Sequence, residues 1–199
     1  PDQPWDYVVL QDQSQISGFP QDSFDWLASR DGAVGLADLS GNAAVRMFLT
    51  WGRRVGDPQN PSLYPDYPTM QDRVVEGYQG YVSAIEGAGG SAEVVQIGMG
   101  WQLAWDDAEA AGVDPLGDTL FSRLYSTDDA HPSPLGSYLA ACIFYGSFTG
   151  DSPLGLSGPS SLDDADRDAL QEIAVRVLGG QLGPADTADL SAVDTADPG

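Results

Sequence analysis

Three short apolar runs, separated by stretches with helical periodicity, restrict the possible folds of this chain more than any other feature. The first run is Tyr7–Leu10, and the others span 43–51 and 93–98. Short apolar runs with few polar positions are typical of strands that are buried on both faces. Such strands alternating with helices predict an α/β fold with a parallel sheet.

Helical patterns lie between and after these runs. A short helix is predicted over 22–29, and Thr69 is the expected N-cap of a longer helix that ends near Ala88. The later helices are predicted over 101–111, 116–124, 134–149 and 163–178. The stretch 52–68, rich in Pro, Gly, Asp and Asn, is predicted to be a long loop, and loops of this length are frequently functional.

The first apolar run would lie at an open edge of a sheet with only about three strands. Natural proteins rarely leave an apolar edge strand uncovered. We therefore expect additional sheet from a preceding segment of the same polypeptide to pair with this edge. On this interpretation, residues 1–180 form the C-terminal part of a domain that is incomplete at its N-terminus.

The last residues, 181–199, differ in composition from the rest of the chain. The sequence Ala-Asp-Thr-Ala-Asp at 185–189 recurs as Val-Asp-Thr-Ala-Asp at 193–197. The segment is acidic, rich in small residues and without helical or strand periodicity. It is predicted to be a disordered tail or linker.

The formal charge of −22, with eight arginines and no lysine, argues against a nucleic-acid partner. Such a surface repels phosphate backbones, so nucleic acid is not an expected partner.

No stretch approaches the roughly 20 apolar residues of a membrane span. The acidity and the tail favour a secreted or cell-surface location. The single cysteine, Cys142, lies in an apolar run and is predicted to be buried.

His131 is the only histidine in the chain, and Asp128 precedes it by three residues. If acid–base chemistry at neutral pH depends on an imidazole, His131 must supply it. Asp128 is close enough in sequence to orient the ring, as the acid of a Ser-His-Asp triad orients its base. The pattern D-x-x-H alone is equally compatible with an ordinary loop histidine.

Four blocks of sequence, taken in order, resemble the SGNH/GDSL-type hydrolases over about residues 5–150. The blocks are Trp5–Ser14 (WDYVVLQDQS), Thr50–Arg54 (TWGRR), Pro65–Gln71 (PDYPTMQ) and, most strongly, Asp128–Ala141 (DDAHPSPLGSYLAA). The last block is similar to the D-x-x-H block and C-terminal helix of that superfamily. The resemblance implies a flavodoxin-like three-layer α/β/α sandwich around a five-stranded parallel sheet.

The resemblance also implies a carboxylic ester hydrolase that requires neither metal nor cofactor. His131 then matches the catalytic base and Asp128 its orienting acid. Gln13 stands where the family has an oxyanion-binding Asn, and Gln11 is the alternative if the register differs. The Gly-Asp-Ser block that carries the family's nucleophile is absent, so the Ser is expected on a segment upstream of this chain. Small esters or acylated carbohydrates are the implied substrates.

Two side chains after the second predicted strand are candidate substrate contacts. Trp51 and Arg53 follow the carboxyl end of that strand, which is where α/β folds bind ligands.

Two other interpretations remain open at this level. The chain could be a non-catalytic relative that serves as a surface, binding or assembly module. It could also bind Ca²⁺ through scattered carboxylates, although no EF-hand spacing is present. The carboxylates considered are Asp12, Asp57, Asp66, Asp106, Asp107 and Asp129.

Overall fold

The computed structural model describes residues 5–179 of the chain, and in this range a parallel sheet lies between two layers of helices. The strands are β1 (Tyr7–Leu10), β2 (Ala44–Phe48) and β3 (Ala92–Val95). They are hydrogen-bonded in the order β1–β2–β3, and both pairs are parallel. The predicted three-layer α/β/α class is therefore confirmed, with three strands in the described range. The predicted tail 181–199 lies outside the described residues.

Seven helices accompany the sheet in the described range. They are α1 (Ser14–Ser17), α2 (Phe24–Leu39), α3 (Tyr67–Gly87), α4 (Gly98–Ala110), α5 (Leu120–Arg123), α6 (Pro134–Thr149) and α7 (Asp164–Leu178). The chain passes from β1 to β2 through α1 and α2, and from β2 to β3 through α3. None of these helices is both long and apolar enough to cross a membrane.

Apolar side chains on the two faces of the sheet form two separate cores. Val45 and Met47 pack with residues of α2 and α3 on one face. Phe48 and Val95 face the other core, which α4, α6 and α7 complete. Because both faces are covered, successive strand positions are apolar, which explains the nearly continuous apolar runs in the sequence.

Helix α3 begins earlier than predicted. Its N-cap is Asp66, whose carboxylate accepts a 2.9 Å hydrogen bond from the backbone N–H of Thr69, so Thr69 is not the cap. Pro68 lies in the first turn, where its missing N–H leaves no helical bond unmade. Tyr67 is buried, and its packing favours a helix that already includes this residue.

Helix α2 is much longer than the predicted 22–29 and ends at Leu39. Gly32 and Gly35 lie within it, and each lowers helix stability by about 1 kcal/mol relative to alanine. Trp26 is buried and stacks on a tyrosine of α3. Tertiary packing of this face therefore outweighs the weak local helix propensity.

The two later strands end three residues earlier than predicted, at Phe48 and Val95. The chain then turns into α4 at Gly98, where a Cβ atom would overlap the carbonyl oxygen of Thr50. The two backbones therefore lie in close contact where the chain leaves β2 and β3. The predicted helix 116–124 is reduced to the single turn α5, whereas α6 has its predicted bounds.

Candidate active site

His131 and Asp128 lie in the loop between α5 and α6 and form a direct pair. The Asp128 Oδ2 atom is 2.6 Å from His131 Nδ1. Its other oxygen, Oδ1, accepts hydrogen bonds from the backbone N–H groups of His131 (2.9 Å) and Ala130 (3.0 Å) and from the Ser126 hydroxyl (2.8 Å). The hydrogen bonds from the ring and the backbone of His131, with those from Ser126 and Ala130, hold the pKa of Asp128 well below its usual value.

This pairing fixes which ring nitrogen carries the proton. An ionised carboxylate only accepts hydrogen bonds, so His131 Nδ1 must donate, and Nε2 of the neutral ring is left with its lone pair free. The His131 side chain is 80% exposed. The arrangement therefore presents a base to the surface, with its tautomer set by Asp128.

A short antiparallel bridge closes the loop that carries the pair. Tyr125 and Pro132 form this bridge, and the backbone N–H of Ser126 donates to the carbonyl of His131 at 2.8 Å. Asp129, at the tip, has φ of +60°, a conformation that few residues other than glycine adopt. Ser133 then caps α6 by accepting hydrogen bonds from two backbone N–H groups of its first turn.

The segment after β2 clamps this loop to the edge of the sheet. Arg54 donates to Asp129 twice, from Nε to Oδ1 (2.6 Å) and from its backbone N–H to the carbonyl oxygen (2.8 Å). The indole N–H of Trp51 donates to the carbonyl oxygen of Ala130 at 3.1 Å. We refer to Trp51 and Arg54 as the clamp. Their three hydrogen bonds join the segment after β2 to the two residues directly before His131.

The two predicted substrate contacts have structural partners of their own. The Trp51 ring stacks on the buried Trp101 ring at a centroid distance of 3.8 Å. Arg53 donates from Nη1 to Oδ1 of the buried Asp57 at 2.6 Å. Both side chains remain partly exposed, and a role of either in substrate binding stays a prediction.

The two candidate oxyanion donors follow β1 at the same edge of the sheet. Gln11 and Gln13 are both exposed, and the Gln13 side chain donates from Nε2 to Oε1 of Gln15 at 2.8 Å. Between them, Asp12 accepts hydrogen bonds from the hydroxyls of Tyr81 (2.6 Å) and Ser29 (2.7 Å). Asp12 thus attaches the segment after β1 to α2 and α3.

The structure joins the predicted residues into two groups. His131 and Asp128 are connected to Trp51 through the clamp, and Gln13 is connected to Arg53 through Gln15 and Asp57. In the range 5–179, no hydrogen bond links one group directly to the other. Trp51 and Arg53 follow β2 and Gln13 follows β1, so both groups are attached near the carboxyl ends of parallel strands, where α/β proteins bind ligands.

Sequence reasoning missed the pairings that hold these side chains in place. Arg54 and Asp129 lie 75 residues apart, and Gln15 and Asp57 lie 42 apart. No periodicity marks such pairs in a single sequence.

Across the described part of the chain, no three His, Cys, Asp or Glu residues are grouped closely enough to hold a metal ion. Of the carboxylates considered for Ca²⁺, Asp57, Asp107 and Asp129 are instead paired with arginines.

A surface cleft of about 590 Å³ lies away from these groups. It is located between the C-terminal ends of α2 and α3, and its lining includes Asp31, Asp38 and Asn42. These elements lead into the amino ends of β2 and β3, so the cleft is at the opposite edge of the sheet from His131.

Comparison with known proteins shows similarity at the level of structure. No protein-family model and no curated protein sequence matches the chain. A DUF4886 family protein from Bacteroides uniformis superimposes with a TM-score of 0.69 at 19% identity, over 92% of this chain and 66% of that protein. A Slackia heliotrinireducens protein, provisionally described as an SGNH hydrolase, has a TM-score of 0.47 at 22% identity, over 72% of this chain and 65% of that protein. The first similarity supports the fold alone, and this chain spans slightly less than two thirds of either protein.

Proposed function

We propose that this chain carries the base, its orienting acid and one oxyanion donor of an SGNH-type carboxylic ester hydrolase. The observation that carries the proposal is the Asp128–His131 pair. Within residues 5–179 its ring Nε2 has no hydrogen-bond partner, the side chain is 80% exposed, and the loop that holds it is attached at the carboxyl ends of the parallel strands. An exposed imidazole oriented by an ionised carboxylate is the arrangement that activates a serine nucleophile.

In the proposed reaction, His131 Nε2 takes the proton of a serine hydroxyl as the serine oxygen attacks the ester carbonyl. The oxyanion of the tetrahedral intermediate accepts a hydrogen bond from the Gln13 carboxamide. A donor of this kind contributes about 2.7–4 kcal/mol to transition-state stabilisation. The intermediate collapses, and His131 returns the proton to the departing alcohol. Water then attacks the acyl-enzyme with the same proton transfers.

The serine is proposed to lie on a preceding segment of the same polypeptide. Within residues 5–179, no serine hydroxyl is hydrogen-bonded to the His131 ring. Strand β1 is an edge of the sheet in this range, and its Tyr7 and Val9 side chains are 43% and 41% exposed. A parallel strand added beside β1 would end next to Gln13, which is a suitable position for a nucleophile.

The outer face of α2 supports the same proposal. Helical spacing gathers Phe24, Gly35, Leu36 and Leu39 on one side of this helix. Phe24 and Leu39 are each 84% exposed, Leu36 is 50% exposed, and the space around Gly35 is open. Exposed apolar surface in a structure with an edge strand is expected where additional secondary structure packs.

Small esters and acylated carbohydrates are the proposed substrates, with Trp51 and Arg53 as candidate contacts. Both side chains lie at the carboxyl edge and are partly exposed. A secreted or cell-surface location is the matching proposal, and its support is the acidic composition.

The proposal is tested with a fluorophosphonate probe on polypeptide that includes the residues preceding Pro1. The labelled peptide is mapped by mass spectrometry in the wild type, His131→Asn and Asp128→Asn. Asp114→Asn, which changes an exposed carboxylate in a different loop, is the matched control. We expect a label on an upstream serine, its loss in His131→Asn, strong reduction in Asp128→Asn and no change in the control.

Absence of labelling with the upstream residues present would contradict the proposal. That result would favour the non-catalytic alternative, in which the β1 edge and the α2 face serve to bind another protein surface.

A further inference from the structure

A chain of hydrogen bonds runs from the buried carboxylate of Asp57 to the exposed Gln13. Asp57 Oδ2 accepts from Gln15 Nε2 at 2.6 Å, and Gln15 Oε1 accepts from Gln13 Nε2 at 2.8 Å. Asp57 and Gln15 are buried, with 1% and 7% of their surface exposed, whereas Gln13 lies at the surface. We refer to these three residues as the amide relay.

The carboxylate determines the direction of every hydrogen bond in the amide relay. An ionised carboxylate has no proton to donate, so Gln15 must turn its NH₂ group toward Asp57. Its carbonyl oxygen then faces Gln13, which must also present its NH₂ group. One N–H of Gln13 is used in this bond, and the second remains available at the surface. Without the charge at Asp57, both carboxamides could rotate by half a turn and expose a carbonyl oxygen.

Several contacts keep Asp57 charged and fixed. It also accepts hydrogen bonds from Arg53 Nη1 (2.6 Å), Asn60 Nδ2 (2.6 Å) and the backbone N–H of Gln59 (3.1 Å). Burial raises the pKa of Asp57, but the hydrogen bonds from Asn60, Gln15 and Gln59 and the charge of Arg53 outweigh it, so the pKa lies below its usual value. Asp57 is therefore ionised at neutral pH.

The backbone of Gln15 is fixed as well. The hydroxyl of the buried Tyr64 donates to the carbonyl oxygen of Gln15 at 2.5 Å. Because Asp57 and Tyr64 both belong to the loop after β2, this loop determines the position and the orientation of the amide relay.

We propose that Asp57 and Gln15 are positioning residues that hold the Gln13 carboxamide with an N–H directed outward, as a donor to the reaction oxyanion. The inference rests on the proposed ester hydrolase function and specifies how its oxyanion donor is oriented. It also gives Arg53 a defined role as the counter-ion of Asp57.

The test measures kcat and KM for a small ester with active full-length polypeptide. Gln13→Ala should lower kcat by about 10²–10³-fold, the usual effect of removing one oxyanion donor, and leave KM nearly unchanged. Gln15→Met keeps the side-chain length but interrupts the relay, and Asp57→Asn removes the charge that sets its direction. Both should lower kcat at least tenfold with little effect on KM. Gln102→Ala, which removes a partly exposed glutamine on α4, is the control for unaltered activity.

A double variant separates orientation from general stability. In Gln15→Glu combined with Asp57→Asn, the carboxylate moves to position 15, where it accepts from Asn at 57 and from Gln13. Gln13 would again present an N–H outward, so we expect kcat to recover well above that of either single variant. Thermal unfolding of each variant identifies any that fail to fold.

The failure of this inference differs from the failure of the proposed function. If the wild type neither hydrolyses esters nor reacts with the fluorophosphonate, the proposed function is wrong. If the wild type is active and His131→Asn is inactive, but folded Gln15→Met keeps wild-type kcat, the relay is overturned. Folded single variants with low kcat and no recovery in the double variant would also overturn it.

Discussion

The hydrogen bond from Trp51 to the loop of His131 predicts that a substitution at Trp51 alters the order of the His131 ring. Trp51→Phe keeps an aromatic ring on Trp101 but removes the indole N–H that donates to Ala130. The His131 loop would then keep the two hydrogen bonds from Arg54 and the 2.6 Å hydrogen bond that the Tyr125 hydroxyl donates to the carbonyl oxygen of Gly52. We expect a modest loss of stability together with a less well-ordered imidazole.

The size of the stability loss follows from the contacts of Trp51. Removing one intramolecular hydrogen bond lowers the free energy of unfolding by about 1 kcal/mol. A smaller ring on Trp101 loses part of a stacking contribution of roughly 0.5–1.5 kcal/mol. The sum of about 1.5 kcal/mol corresponds to a decrease in Tm of roughly 3–6 °C for a domain of this size.

Because the chain has one histidine, NMR can follow the ring without ambiguity. Long-range ¹⁵N–¹H correlation spectra distinguish the Nδ1–H tautomer from the Nε2–H tautomer. We expect the Nδ1–H form to predominate in the wild type, since Asp128 accepts from Nδ1. In Trp51→Phe the fraction of the Nε2–H form and the exchange rate of the Nδ1 proton should both increase.

Trp105→Phe is the matched control, because Trp105 stacks on Tyr67 and contacts Phe121, and within residues 5–179 it makes no hydrogen bond to the His131 loop. It should lower Tm without altering the His131 spectrum. Identical His131 tautomer ratios in the wild type, Trp51→Phe and Trp105→Phe would refute the claim that Trp51 positions the loop.

Four further outcomes are expected. The folded-state pKa of Asp57 lies below its usual value. The stabilising contribution of this carboxylate is therefore complete above about pH 4 and is lost as the pH falls below that value. Thermal unfolding between pH 5 and pH 2.5 should show a steeper loss of Tm in the wild type than in Asp57→Asn. Gly98→Ala would force a Cβ atom into the carbonyl oxygen of Thr50, and in a denaturant titration it should lower the free energy of unfolding by roughly 1–3 kcal/mol or more. Gly87→Ala, in open space on α3, should be neutral or stabilising in the same titration. Burial raises the pKa of Cys142 to about 11, so iodoacetamide at pH 8 should modify it, by mass spectrometry, only after denaturation. The net charge of −22 predicts that added NaCl screens repulsion and raises Tm, and a Tm independent of salt from 0.05 to 1 M would contradict this.

Comparison of individual elements shows where sequence reasoning is sufficient. Helix α6 has its predicted bounds because proline begins it and Gly150, with φ of +73°, ends it. Helix α2 could not be predicted in full, because two glycines weaken its local signal and only packing of its inner face explains its length. Thr69 was the wrong N-cap for a related reason, since burial of Tyr67 moves the start of α3.

The sequence alone determined the α/β class, the parallel sheet and the Asp128–His131 pair. The class and the sheet could be predicted because short apolar runs alternate with helical patterns along the chain, and the pair because the carboxylate lies three residues before the imidazole. Tertiary structure decided what surrounds that pair. Arg54 meets Asp129, and Asp57 meets Gln15, only because parallel strands bring their carboxyl ends to one edge. The direction of the amide relay depends on a charge buried by that arrangement, and no local pattern in the sequence encodes it.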